Sequence, residues 1–360
     1  MTVKDRIQKL RELFKEQEIE GILISHPQNR FYLSGFLGSA GYLLITEKRL
    51  IIAVDFRYVE QAKRQSPDFD LFNITGPVED WFSKLVVEAN IKRLGFESAN
   101  TTYALYRQLT ETIPKKQLPI QLVPTDGMVE SVRSVKEPEE IELITRAINI
   151  SDLAIAHIQK IIHAGMTEIE VAWEIEKYMR ENGSGTVPFE LIVAAGPNSA
   201  LPHAHPSDRP IQTGEPIVMD IGANYQGYTS DLTRTICLGK PDGTYRKIYD
   251  TVLGAQLTAM AIIKEGMTGE AADNIARTVI QESGYGNNFG HGLGHGVGLE
   301  THESPRLGIH SMDKLTNGMI FSIEPGIYLP GWGGVRIEDT VLLKNGKIEV
   351  LSKAEKIAKS

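Results

Sequence analysis

The 360-residue chain predicts a mixed α/β (α+β) fold in two domains, the larger of which contains itself twice. Three observations carry this prediction. Strand and helix patterns alternate through the first 125 residues, and a proline-opened long helix follows a Pro/Gly-containing junction. Beyond it, one order of helices, strands and acidic residues occurs a second time. This length suits about two domains. Apolar residues at 41% and charged residues at 23% are ordinary for a globular protein.

Taken in order, "VKDRIQKLRELF" sets Ile7, Leu10, Leu13 and Phe14 at helical spacing among charges. "GILISH", "GYLLIT", "RLIIAVD" and "RLGFES" read as strands with amphipathic stretches between them. Residues 1–125 thus form a small α/β domain, and 126–137, from "VPTDGMVESVRSVKEPEE", a linker. Pro138 opens a helix over about 138–163, the start of the larger domain, 138–360.

In the first half of that domain come helix "GMTEIEVAWEIEKYM", strand "FELIVAAG" and "LPHAHPSD". In the second come helix "GMTGEAADNIARTVI", a Gly/His segment and "ETHESPRL". Gly165-Met166-Thr167 and Gly266-Met267-Thr268 occupy the same place, and Thr167 with Glu170 makes a capping box. "IVMDIGANYQGYTSDLTRT" then answers "IFSIEPGIYLPGWGGVRIEDT". Each has an acid at the end of an apolar strand, Asp220 or Glu324, and a second acid further on, Asp231 or Glu338. Two halves related by approximate symmetry would bring equivalent residues together at a central axis.

Composition excludes several classes. A net charge of −8 without a dense Lys/Arg block argues against a nucleic-acid or anionic-membrane binder. Apolar runs such as "LIIAV" are too short to span a bilayer, and the N-terminus lacks the apolar stretch of a signal peptide, so a cytoplasmic protein is expected. The single cysteine, Cys237 in "TICLG", permits no internal disulfide and reads as a buried structural thiol.

"FGHGLGHGVGLETHESP" carries His291, His295 and His302. The four-residue step from His291 to His295 matches a helical zinc site, but glycine at 290, 292, 294, 296 and 298 would each cost a helix up to about 1 kcal/mol. An extended segment is expected instead, bare on one face so that backbone or ligand can approach closely. Asp220, Asp231, Glu324 and Glu338 could not share a buried site uncompensated. Two divalent cations would balance four carboxylates, with His295 adding a nitrogen. The oxygen-rich set suits Mn²⁺ or Co²⁺ better than a structural zinc. Paired ions of this kind activate a shared water and polarise a carbonyl, which is hydrolytic chemistry.

The pattern D-x10-D, H-x3-H-x6-H-E-x-P, I-E-P-G-x-Y and R-I-E-D resembles the pita-bread metallopeptidases, which include methionine aminopeptidase, aminopeptidase P, prolidase and the metal-free creatinase. "NRFYLSGFLGSAG" and "DFRYVEQA" resemble the creatinase-like N-terminal domain of the proline-specific branch. The resemblance implies a pita-bread domain and two divalent ions, Mn²⁺ first, with Co²⁺ or Zn²⁺ as alternatives. It implies Asp220 as terminal ligand of one ion, Asp231 and Glu338 as bridges, and His295 and Glu324 as ligands of the other. Glu324 also corresponds to a proton acceptor, His302 to a histidine that steadies the tetrahedral intermediate, and His203 to one on the substrate-carbonyl side. His291, Tyr328 and Arg336 correspond to residues in or near a proline pocket. For His205, an exposed loop position is expected.

The implied substrates are Xaa-Pro peptides, and family members are commonly homodimers. Arg306, eleven residues after His295, matches an arginine that binds the free proline carboxylate in some prolidases, which favours an Xaa-Pro dipeptidase. The alternative is aminopeptidase P, acting on longer Xaa-Pro peptides, since "SGFLGSAG" recurs in small bacterial enzymes of that kind. Methionine aminopeptidase lacks the N-terminal domain, and creatinase lacks the ligands. A non-enzymatic binding protein on this fold would also have lost ligand positions, and all five are filled here.

Overall fold

In the computed structural model, which describes residues 3–356, the chain divides into two units, 1–133 and 134–360. The first unit runs α1 (Val3–Glu12), β1 (Gly21–Ile24), α2 (Pro27–Ser34), β2 (Tyr42–Thr46), β3 (Leu50–Val54), α3 (Val59–Gln65), β4 (Asp70–Asn73), α4 (Val78–Ala89), β5 (Arg93–Glu97), α5 (Tyr103–Lys115), β6 (Gln121–Thr125) and α6 (Met128–Ser134). Its strands form one mixed sheet in the order β4-β3-β2-β1-β5-β6. Ile22, Ile24, Leu43, Ile45 and Ile52 are almost fully buried, as expected of continuous apolar strands covered on both faces. The segment expected to be a linker carries the short helix α6, and the division between units falls near its end.

The second unit shows the doubled order directly. Its first half contains α7 (Pro138–Ile161), α8 (Glu168–Glu181), β7 (Ile192–Ala195), β8 (Pro216–Ile221), β9 (Asn224–Tyr225), β10 (Tyr228–Thr229) and β11 (Leu232–Cys237). Its second contains α9 (Gly243–Ile262), α10 (Gly269–Glu282), β12 (Gly294–Gly296), β13 (Glu303–Leu307), β14 (Ile320–Ile323), β15 (Gly326–Leu329), β16 (Gly333–Arg336), β17 (Asp339–Lys344) and β18 (Lys347–Val350). All sheet pairings here are antiparallel, in the orders β11-β8-β7 and β13-β12-β14-β17-β18. The hairpins β9-β10 and β15-β16 lie between β8 and β11 and between β14 and β17.

Local bonding repeats as well. Thr167 and Thr268 cap α8 and α10 by accepting from the Glu170 and Ala271 amides at 3.2 and 3.1 Å. Just before them, the Gly165 amide donates to the Ile211 carbonyl at 2.9 Å and the Gly266 amide to the Leu315 carbonyl at 2.8 Å. Both glycines sit at positive φ, +99° and +84°, where a Cβ would be strained. Each half has its own core: Ile155, Val171, Met219 and Leu232 in one, Val252, Ala276, Phe321 and Val341 in the other. Glu137 and Glu140 complete a capping box at the start of α7. Among the described residues no helix is long and apolar enough to cross a membrane.

Candidate metal centre

Each expected ligand stands on or beside a strand. Asp220 is in β8, Asp231 immediately precedes β11, and His295 is the middle residue of β12. Glu324 immediately follows β14 and Glu338 immediately precedes β17. The pairs Ile323↔Asp339 and Gly326↔Arg336 keep one register, so Glu324 and Glu338 between them are directly opposed across the ladder. Opposed Cβ atoms lie about 4.5–5.5 Å apart, and like charges so placed are destabilising unless something lies between them.

The glycines of the His-rich segment let β12 fit between its neighbours. A Cβ at Gly292 would lie 2.6 Å from the Leu307 carbonyl oxygen, and at Gly294 and Gly296 closer still to the Ser322 and Ser304 carbonyl oxygens. His295 pairs across β12–β13 with Arg306, so both side chains leave the same face of the sheet.

Donor atoms meet in three overlapping trios: Asp220, Asp231 and Glu338; His295, Glu324 and Glu338; Asp231, His295 and His302. Within each, the donors lie within 4.8 Å of one another. His295 Nε2 is 3.1 Å from Glu324 Oε1 and 3.6 Å from Asp231 Oδ2. The His302 ring meets the His295 ring edge-on at 4.0 Å between centroids. Asp231 and Glu338 are buried, while His302 and His203 are exposed.

A second layer holds these groups. Arg336 donates to Asp220 Oδ2 at 2.5 Å, to the Tyr328 hydroxyl at 2.9 Å and to the Pro202 carbonyl, next to His203, at 3.2 Å. The Tyr328 hydroxyl also lies 2.9 Å from His291 Nε2. Phe289 meets the His291 ring edge-on at 5.0 Å. Thr233 donates to Glu338 Oε2 at 2.8 Å, and Ser322 to Glu324 Oε1 at 3.2 Å. Arg277, paired with the buried Asp273, donates to the Phe289 and His291 carbonyls at 2.9 and 2.7 Å and shapes the segment before β12.

Sequence reasoning missed Thr233, Ser322 and Arg277. Thr233 and Ser322 each stand two residues from an expected ligand, a step that returns to one face of a strand. Arg277 carries no such signal. His205 is exposed and faces Glu190 at 2.8 Å. Cys237 is free and half-buried, and burial raises its thiol pKa, as for an inert structural thiol.

The electrostatics of the cluster call for cations. Burial, then repulsion from Glu338, Asp220 and Glu324, pushes Asp231 well above the usual carboxylate range. Burial, then Glu324 and Asp220, does the same to Glu338. Burial would also raise Glu324, but the hydrogen bond and charge of His295 prevail and bring it down to about 2. His295 is correspondingly raised against the effect of burial. Burial lowers His291 and His302, favouring neutral rings. Asp220 Oδ1 and Glu338 Oε1 are buried with no hydrogen-bond partner among the described residues. Orphaned carboxylate oxygens, mutual repulsion and one imidazole together fit a pair of hard or borderline divalent cations.

Both units are similar to known proteins. Residues 142–345 match the metallopeptidase family M24, and residues 6–135 match the creatinase/prolidase N-terminal domain. An Xaa-Pro dipeptidase of Pyrococcus horikoshii is 39% identical, with 98% of each chain covered. The structure of an Xaa-Pro dipeptidase from Bacillus anthracis is 42% identical with a TM-score of 0.94, covering 99% of this chain and 100% of that one. An X-Pro aminopeptidase structure from Thermotoga maritima is 37% identical with a TM-score of 0.86, covering 96% and 99%. The chain therefore belongs to metallopeptidase family M24, with a creatinase-like α/β domain ahead of a pita-bread unit.

Proposed function

We propose that the protein is an Xaa-Pro dipeptidase that uses two divalent ions, Mn²⁺ foremost. The observation that carries this is the convergence of Asp220, Asp231, His295, Glu324 and Glu338 in overlapping donor trios. In this reading Asp220, Asp231 and Glu338 would hold one ion and His295, Glu324 and Glu338 the other, with Asp231 shared between them. Such ions lower the pKa of a shared water and polarise the reacting carbonyl.

The remaining work falls to the chain. Glu324, ionised as a ligand of the ions must be, would accept the proton of the attacking water. His302 steadies the carbonyl oxygen as it gains charge and carries a proton towards the prolyl nitrogen. That nitrogen bears no hydrogen in the substrate and must gain one to leave. His203 contacts the substrate on the carbonyl side. A neutral His291 beside Phe289, held by Tyr328 and Arg336, suits the pyrrolidine ring. A cytoplasmic homodimer is part of the same proposal.

Arg306 favours the dipeptide. It is exposed, faces the same side as His295, and a guanidinium can grip a free proline carboxylate through two parallel hydrogen bonds. The second reading, aminopeptidase P, is supported by the likeness to the Thermotoga X-Pro aminopeptidase. Hydrolysis of Ala-Pro and Ala-Pro-Ala by the Mn²⁺-loaded protein separates them. The dipeptide should be preferred, and Arg306→Ala should cut its kcat/KM by at least about tenfold, since each charge-assisted hydrogen bond lost is worth about 1.5 kcal/mol or more, while sparing the tripeptide. Preference for Ala-Pro-Ala, or equal losses on both, would favour aminopeptidase P and remove Arg306 from this role.

A further inference from the structure

One residue along from the two opposed glutamates the ladder lacks a hydrogen bond, and a side chain from α9 stands in for it. The register that sets Glu324 opposite Glu338 also sets Pro325 opposite Ile337. The Ile337 amide donates to the Pro325 carbonyl at 3.4 Å. In an antiparallel pair that exchanges both bonds, the return bond would run from the amide of residue 325 to the Ile337 carbonyl. Proline has no N–H to give.

Gln256, fully buried in α9, supplies the donor. Its Nε2 donates to the Ile337 carbonyl at 3.1 Å and to the Ile323 carbonyl at 3.0 Å. These acceptors belong to the residues immediately before Glu338 and Glu324. One amide thus clips both strands at the point where their carboxylates turn towards each other. Gln256 Oε1 is buried without a partner among the described residues. The two carbonyls therefore fix the orientation of the amide, because a flipped group would aim oxygen at oxygen. The neighbours of Gln256 on this helix face, Val252, Ala255 and Ala259, are all buried and apolar. An apolar residue at 256 would pack against them, but it would leave the Ile337 carbonyl without its donor.

We propose that Gln256 is a positioning residue that sets the spacing of Glu324 and Glu338 for the ion pair. This rests on the two-ion reading above. The repulsion between opposed carboxylates acts to spread the strands, and the clip resists it until cations bind.

The test titrates chelator-stripped full-length protein with MnCl₂ by calorimetry, with melting temperatures measured alongside. The wild type should take up two ions. Gln256→Met, which keeps volume but donates nothing, should weaken ion binding about 10- to 100-fold, the usual effect of losing a partner behind a ligand. Adding Pro325→Ala to that variant restores a backbone N–H opposite Ile337 and should recover most of the loss. Val252→Ala, one turn away, should lower the melting temperature with ion affinity unchanged. If Gln256→Met does not fold, Gln256→Asn, too short to reach both carbonyls, should show the same weakening.

Wild-type affinity in the position-256 variant would overturn the proposal. So would an absence of recovery with Pro325→Ala, or an equal loss of affinity in Val252→Ala. A wild type that takes up fewer than two ions would instead sink the two-ion reading itself.

Discussion

Asp231→Asn and Glu338→Gln are each expected to lower Ala-Pro turnover by at least about 10²–10³-fold, the cost of one preorganised charge partner in a transition state. Both substitutions keep shape. Glutamine at 338 can still accept from Thr233, which now bonds Glu338 Oε2 at 2.8 Å. The fold should therefore survive. Stripped of ions, the protein carries four clustered carboxylates, and removing one charge relieves repulsion. The chelated variants should melt no lower than chelated wild type, while added Mn²⁺ should stabilise them less. Loss of activity with this reversal in melting temperature separates loss of the ion pair from misfolding. Wild-type turnover in either variant would show that the bridge is elsewhere.

The largest effect on stability is expected behind the site. Arg234 is 1% exposed and donates to Asp339 Oδ1 at 2.7 Å, to the Thr233 carbonyl at 2.9 Å, to the Ala354 carbonyl and to the Glu338 carbonyl. Asp339 is fully buried. Its other cation, Lys356 at 2.7 Å, is partly open to solvent. Arg234→Met leaves a buried carboxylate under-compensated and three carbonyl oxygens short of a donor. Breaking such a pair from one side costs about 3–5 kcal/mol. Urea unfolding of the chelated protein measures it without interference from ions, and a loss below about 1 kcal/mol would mean that Lys356 compensates alone.

Much of this could be read from the chain because local rules determined it. Pro138 starts α7, the Thr167–Glu170 box starts α8, and paired glycines at positive φ precede both capping threonines. The acids leaving "VMDIG" and "SIEPG" were conspicuous because apolar runs do not tolerate a lone charge. The alternating glycines announced a close backbone approach, and β12 between β13 and β14 provides it.

What escaped the sequence depends on register and on long-range pairing. That Glu324 opposes Glu338 follows from β14–β17 and β15–β16 sharing one register, which no local pattern encodes. Arg234 and Asp339 lie 105 residues apart, and Gln256 lies 67 and 81 residues from its acceptors. Each reads locally as an ordinary polar residue. The order β4-β3-β2-β1-β5-β6, with its mixed directions, was likewise set by packing and not by strand composition. Helix α6, seven residues long, is too short to show a helical period.

The most direct test is one titration: the initial rate of Ala-Pro hydrolysis as Mn²⁺ is added to chelator-stripped protein. Two ions held by Asp220, Asp231, His295, Glu324 and Glu338 predict negligible activity without added ion and a rate that rises until two equivalents are bound. Full activity in stripped protein, or a rate that saturates at one equivalent, would contradict the paired-ion centre.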